Sequence, residues 1–173
     1  GPLPEHHVST LYGIRSKRLA RLLEEGIETL DKLEPALARE GPARRQVESV
    51  RTGEIVVADG LGEALAAWTG PIAFLDFETM NPAIPVWPGC RPYDQVPVQL
   101  SCHMLTREGV THRAFLAEGG EDPREAFARA LVDACAGAET VVAYNAPFER
   151  ACIQGLREVV PSLSAELAEI DAR

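Results

Sequence analysis

The chain has 173 residues, of which 46% are hydrophobic and 25% charged, enough for one good-sized core or one domain with a small appendage. No apolar run is long enough to cross a membrane, and no secretory signal pattern opens the chain. The formal net charge of −9 is uneven: residues 1–51 carry nine Lys/Arg against eight Asp/Glu, whereas residues 52–173 carry eight against eighteen, so the acidic part is a poor non-specific nucleic-acid binder by charge alone.

Residues 9–33 read as helical in two pieces. Leu11, Ile14, Leu19, Leu22 and Leu23 recur at helical spacing among Arg15, Lys17, Arg18 and Arg21. Gly26 ends this helix in the position favoured for a left-handed cap, and Thr29 to Leu33 starts a second, short one. The helix–Gly-Ile–helix pattern is similar to part of a helix-hairpin-helix element. Adjacent His6 and His7 fall in a segment read as floppy. Glu40-Gly41-Pro42 breaks the chain, a helical stretch follows, and Asp59-Gly60 marks a turn. The helical N-terminal region is placed at 1–58 and the second domain at 59–173. Leu61–Trp68 reads as a helix with Leu61, Leu65 and Trp68 on one face, stopped by Thr69-Gly70-Pro71.

An α/β order follows. Ile72–Glu78 is a buried strand, and residues 80–95 form a Pro-rich loop. Val96–Leu105 alternates, with Val96, Val98, Leu100, Cys102 and Met104 on one face and Gln99, Ser101 and His103 on the other. A turn at Arg107-Glu108-Gly109 leads to a strand over Val110–Leu116. Asp122-Pro123 opens a helix running to about Ala136, Thr140–Tyr144 is a fourth strand, Pro147 opens a helix to about Leu156, and Ser162–Ile170 is a third. His103 and His112 read as surface or satisfied residues. The four cysteines form no Cys-x-x-Cys pair, which argues against a zinc knuckle or a disulfide framework and fits a reducing, cytoplasmic setting. No phosphate-binding Gly-rich loop or Gly-x-Ser-x-Gly elbow occurs.

The chemistry concentrates in two stretches. Asp76 and Glu78 lie two apart on a strand, so their carboxylates share a face. Such charges repel unless a cation lies between them, and a hard divalent cation prefers oxygen ligands. Val141–Glu149 is a strand, a turn at Asn145, and a helix opened by Pro147, with Glu149 in its first turn. If this strand lies beside the first, Glu149 projects toward Asp76 and Glu78, with Phe148 packing underneath.

Leu75-Asp76-Phe77-Glu78-Thr79 resembles the first motif of the DEDD exonuclease superfamily, which has a ribonuclease H-like fold. Tyr144-Asn145-Ala146-Pro147-Phe148-Glu149 is similar to its second, where the last position is more often Asp. From about residue 70 onward the chain also resembles an uncharacterised bacterial domain-of-unknown-function family with these blocks and a loop like Arg91–Ser101. The resemblance implies a ribonuclease H-like mixed sheet with flanking helices. It also implies a two-metal Mg²⁺ or Mn²⁺ site and 3′–5′ hydrolysis of phosphodiester bonds in DNA or RNA, with single-stranded nucleic acid as partner. Asp76, Glu78 and Glu149 would be catalytic and hold metal. Thr79, Asn145, Tyr93, Gln95 and Gln99 would contact substrate. The superfamily's third motif has no counterpart before Arg173, so the chain is expected to be a piece of a longer protein. A non-catalytic binding module on the same scaffold is the alternative.

Overall fold

The computed structural model describes residues 1–173, which divide into two compact units, Gly1–Ala64 and Leu65–Arg173. In the first unit, α1 (Ser16–Glu24) ends in a hydrogen-bonded cap. Gly26 takes φ +75°, the Ile27 N–H donates to the Leu22 carbonyl at 2.8 Å, and the Gly26 N–H donates to that of Leu23 at 3.0 Å. That is the Schellman arrangement, in which a residue without Cβ turns the chain and satisfies two orphan carbonyls. Gly26→Ala is therefore expected to destabilise this unit by about 1–2 kcal/mol, read as a lower urea midpoint with an unchanged slope.

The segment after the cap differs from the expected second helix. It is a single 3-10 turn at Leu30–Lys32, because Thr29 is spent on a bridge to His7. The Val8 N–H donates to Glu28 O and the Leu30 N–H to His6 O, both at 2.9 Å. The histidine segment is likewise ordered rather than floppy. His7 is buried, and its Nδ1 accepts from the Ser9 N–H at 3.2 Å, capping the turn Val8–Thr10. The α2 helix (Pro42–Thr52) follows Gly41-Pro42 and stops at Gly53 in the left-handed region. Val8, Leu22, Leu30, Leu33 and Val47 form this unit's own core. The next helix, α3, covers only Leu61–Ala66, so Trp68 lies beyond its end.

The second unit is built on four strands in the order β3-β2-β1-β4: β1 Ile72–Met80, β2 Val96–Thr106, β3 Gly109–Leu116 and β4 Thr140–Ala143. The β1–β2 and β2–β3 pairs are antiparallel, and the β1–β4 pair is parallel. The parallel pair requires a crossover, supplied by α4 (Arg124–Ala134) between β3 and β4. At its start Pro123 already has helical dihedrals and Asp122 Oδ1 accepts from the Arg124 N–H at 3.1 Å. After β4 come α5 (Ala146–Val159) and α6 (Ser164–Ala172).

Along β1 the burial alternates. Ala73, Leu75 and Phe77 enter the core, while Phe74, Asp76 and Glu78 turn outward. The core joins that inner face to Leu100 and Cys102 of β2, Phe127 and Leu131 of α4, Ile153 and Leu156 of α5, and Leu167 of α6. All four cysteines are free thiols, and three are buried.

Candidate active site

Asp76 and Glu78 stand on the outward face of β1, about 6.5 Å apart along the strand. Asp76 lies opposite Ser101 and Glu78 opposite Gln99. One step later the register slips. Thr79 pairs with Pro97, leaving Val98 unmatched. Proline has no N–H for the ladder, so the irregularity falls where Pro97 enters β2. This bulge immediately follows the acidic pair and changes the strand's course at Thr79, which is half-buried.

Parallel pairing of Ile72–Leu75 with Thr140–Ala143 brings the end of β4 beside β1, and Asn145 then heads α5. The Asn145 carbonyl accepts from the Phe148 N–H at 2.8 Å, while its side chain makes no capping bond and stays exposed. Phe148 packs against the core. Tyr144, expected as the strand's last residue, lies past its end and is exposed.

Glu149 is the unusual side chain. It is 5% exposed, and its Oε2 is buried with no hydrogen-bond partner. Burial raises its pKa above the ordinary glutamate value; its own backbone N–H pulls it partly back, and the negative charge of Asp76 pushes it up further. The two acidic motifs are thus within electrostatic reach of each other. One turn along α5, burial and the Glu149 charge push the Cys152 thiol up to about 11. Glu149 also borders a cavity of about 60 Å³ shared with Leu75, Val141, Arg150 and Asp171, roomy enough for ordered water. No three His, Cys, Asp or Glu side chains come together as a ready cation cage.

The donors nevertheless suit a hard cation. They are carboxylates, and one of their oxygens is buried and unclaimed. The stripe Glu149, Cys152, Ile153, Leu156 recurs at i, i+3, i+4 and i+7, so a carboxylate on an apolar helix face was the available sequence signal for its burial.

The remaining residues separate into two places. Gln99 shares the outward sheet face with Asp76 and Glu78. On that face the structure adds a pair of histidines. His103 stacks on His112 with centroids 4.3 Å apart, and His112 Nε2 lies 3.0 Å from Ser101 Oγ, the residue opposite Asp76. A two-residue turn at Arg107-Glu108 sets His112 opposite His103, so this pair was legible from the hairpin register. Tyr93 and Gln95 instead line an open cleft of about 610 Å³ between the 81–97 segment and α5.

The family model of a domain of unknown function, DUF2779, matches residues 73–173, a span that holds Asp76, Glu78, Glu149 and the whole cleft. No curated protein and no solved structure matches the chain. With more than half of its length inside that match, the chain belongs to the DUF2779 family.

Proposed function

We propose that the Leu65–Arg173 unit is a ribonuclease H-like nuclease scaffold of the four-acid exonuclease type, hydrolysing phosphodiester bonds of single-stranded DNA or RNA from the 3′ end. The carrying observation is Glu149. It is a buried carboxylate with an unclaimed oxygen, its pKa raised first by burial and further by the charge of Asp76 from the other acidic motif. A structural role gives no reason to bury an acid with an unclaimed oxygen, whereas a cation-dependent site needs such a donor.

Asp76 and Glu149 would hold Mg²⁺ or Mn²⁺, with Glu78 as a further oxygen donor on the Asp76 face. When bound, such a cation supplies water activation and charge neutralisation at the leaving oxygen. The chain's own residues hold the substrate. Gln99, exposed opposite Glu78, offers an amide that donates to phosphate oxygens or a base edge. Asn145, with its side chain free at the head of α5, and Thr79, at the bulge, are placed to orient a terminal ribose or phosphate by hydrogen bonding.

Titration with Mn²⁺ by calorimetry, followed by hydrolysis of a labelled single-stranded oligonucleotide, tests this. The wild type is expected to bind Mn²⁺ and cleave. Asp76→Ala should lose more than the roughly 100-fold that removal of an outer-shell metal partner costs. No Mn²⁺ heat, or equal cleavage by both proteins, ends the nuclease reading. The absence of a gathered three-residue cage favours a second reading, a binding module on the same scaffold. That module binds oligonucleotide without any response to Mn²⁺.

A further inference from the structure

Tyr93 has φ +66°, a left-handed conformation that residues with a Cβ rarely adopt. Its neighbours enforce it. The Tyr93 N–H donates to Pro82 O at 3.0 Å, the Arg91 N–H to Asp94 Oδ2 at 2.7 Å, and the Asp94 N–H to Arg91 O at 3.1 Å. The loop is also anchored from α4. The Arg124 side chain, largely buried, donates to Pro88 O at 2.7 Å and pairs with Asp122 at 2.5 Å. What this fastened loop presents is a ring that remains 68% exposed. Packing does not repay the strain, and strained backbone held this firmly belongs with ligand sites.

The cleft below the ring has the size of a small-ligand site, about 610 Å³. Besides Tyr93 it is lined by Arg91, Asn81, Gln95 and Glu158. The Arg91 guanidinium has no ion-pair partner. A free cation, an exposed flat ring and two amides match the phosphate, the face and the edge of a nucleotide, and Glu158 can accept from an exocyclic amine. None of Asp76, Glu78 and Glu149 lines this cleft.

We propose that the cleft between the 81–97 loop and α5 seats one nucleotide, its base stacked on Tyr93 and its phosphate on Arg91. The ligand class rests on the nuclease reading; the seat is a second contact region, separate in its lining from the acidic residues.

The test is binding by the full chain in excess chelator, with two probes: a short labelled single-stranded oligonucleotide and adenosine monophosphate. Tyr93→Gly is expected to weaken binding about tenfold or more. Its unfolding midpoint should be equal or higher, because glycine takes this φ without strain. Tyr93→Phe should bind as the wild type does. Arg91→Ala should weaken binding and flatten its salt dependence. Binding of both probes marks a free-nucleotide seat, and binding of the oligonucleotide alone marks a seat within a strand; either supports the proposal. Binding of neither probe by the wild type, or full binding by folded Tyr93→Gly, overturns it. Because the readout needs no cation, a wild type that binds the probes but does not cleave refutes the nuclease reading and leaves the cleft standing.

Discussion

Glu149→Gln is expected to make the protein more stable at pH 8 in chelator, by about 1–3 kcal/mol. The wild-type side chain carries a charge into a site that is 5% exposed, where Oε2 has no partner. Burial, first, and the Asp76 charge hold its pKa above the ordinary 4.5. The folded state therefore binds this proton more tightly than the unfolded chain does. The stability linked to protonation is fully present below the unfolded value and is lost as pH rises through the folded one. Glutamine keeps the shape and removes the charge, so its advantage should be largest above the folded pKa and should fade as the pH drops toward 4.5. Urea midpoints of both proteins at pH 5 and pH 8 measure this directly. Added Mn²⁺ should raise the wild-type midpoint by mass action and the variant's less. A variant that is less stable than wild type at pH 8 would show that the buried charge is already compensated in solution, and Glu149 would lose its standing as a waiting ligand. The sign of the effect matters more than its size. A stabilising change that removes function is what a cation-dependent site embedded in a core predicts, and a core residue of purely structural value predicts the opposite.

Much of this architecture is visible in residue order, and the reasons differ from element to element. The alternation of Ala73, Leu75 and Phe77 with Phe74, Asp76 and Glu78 places the acids on one face because side-chain period in a strand is two, whatever the rest of the molecule does. The cap at Gly26 is legible because left-handed backbone selects glycine. By the same reasoning Tyr93 is invisible. Its φ of +66° contradicts its residue type and is imposed by hydrogen bonds to Pro82 and within Arg91–Asp94, contacts that no local propensity encodes. The short helix expected after Gly26 failed for a related reason, since the pairing of Thr29 with His7 is tertiary and outweighs local helical preference. Position in the first turn of α5 follows for Glu149 from Pro147, but the unsatisfied oxygen arises only once β1, β4 and α6 close around it. Chemistry-bearing groups are thus legible by position, while their electrostatic state belongs to the packed unit.

Phe127→Ala is expected to cost about 3–5 kcal/mol, a large fraction of the stability of a unit this size. Phe127 projects from α4, fully buried, and its ring meets two others edge-on: Phe77 of β1 at 5.1 Å and 86°, and Phe115 of β3 at 5.8 Å and 89°. These edge-to-face contacts add to the area term, and alanine would leave a cavity among close-packed side chains. The loss should reach the acidic face. Phe77 lies between Asp76 and Glu78 in the chain, and its anchorage in the core is what keeps those two carboxylates outward and in phase. If these carboxylates hold the cation as proposed, Mn²⁺ affinity should therefore fall in Phe127→Ala, under conditions where it is still folded, although no carboxylate has changed. Phe127→Leu, which keeps most of the volume, should cost less and retain the affinity. Guanidinium unfolding with paired Mn²⁺ titrations measures both. A cost below about 1 kcal/mol would mean that the ring does not join helix to sheet. An undiminished Mn²⁺ affinity in the folded alanine variant would mean that the bulge at Thr79, and not Phe77, sets the orientation of the acids.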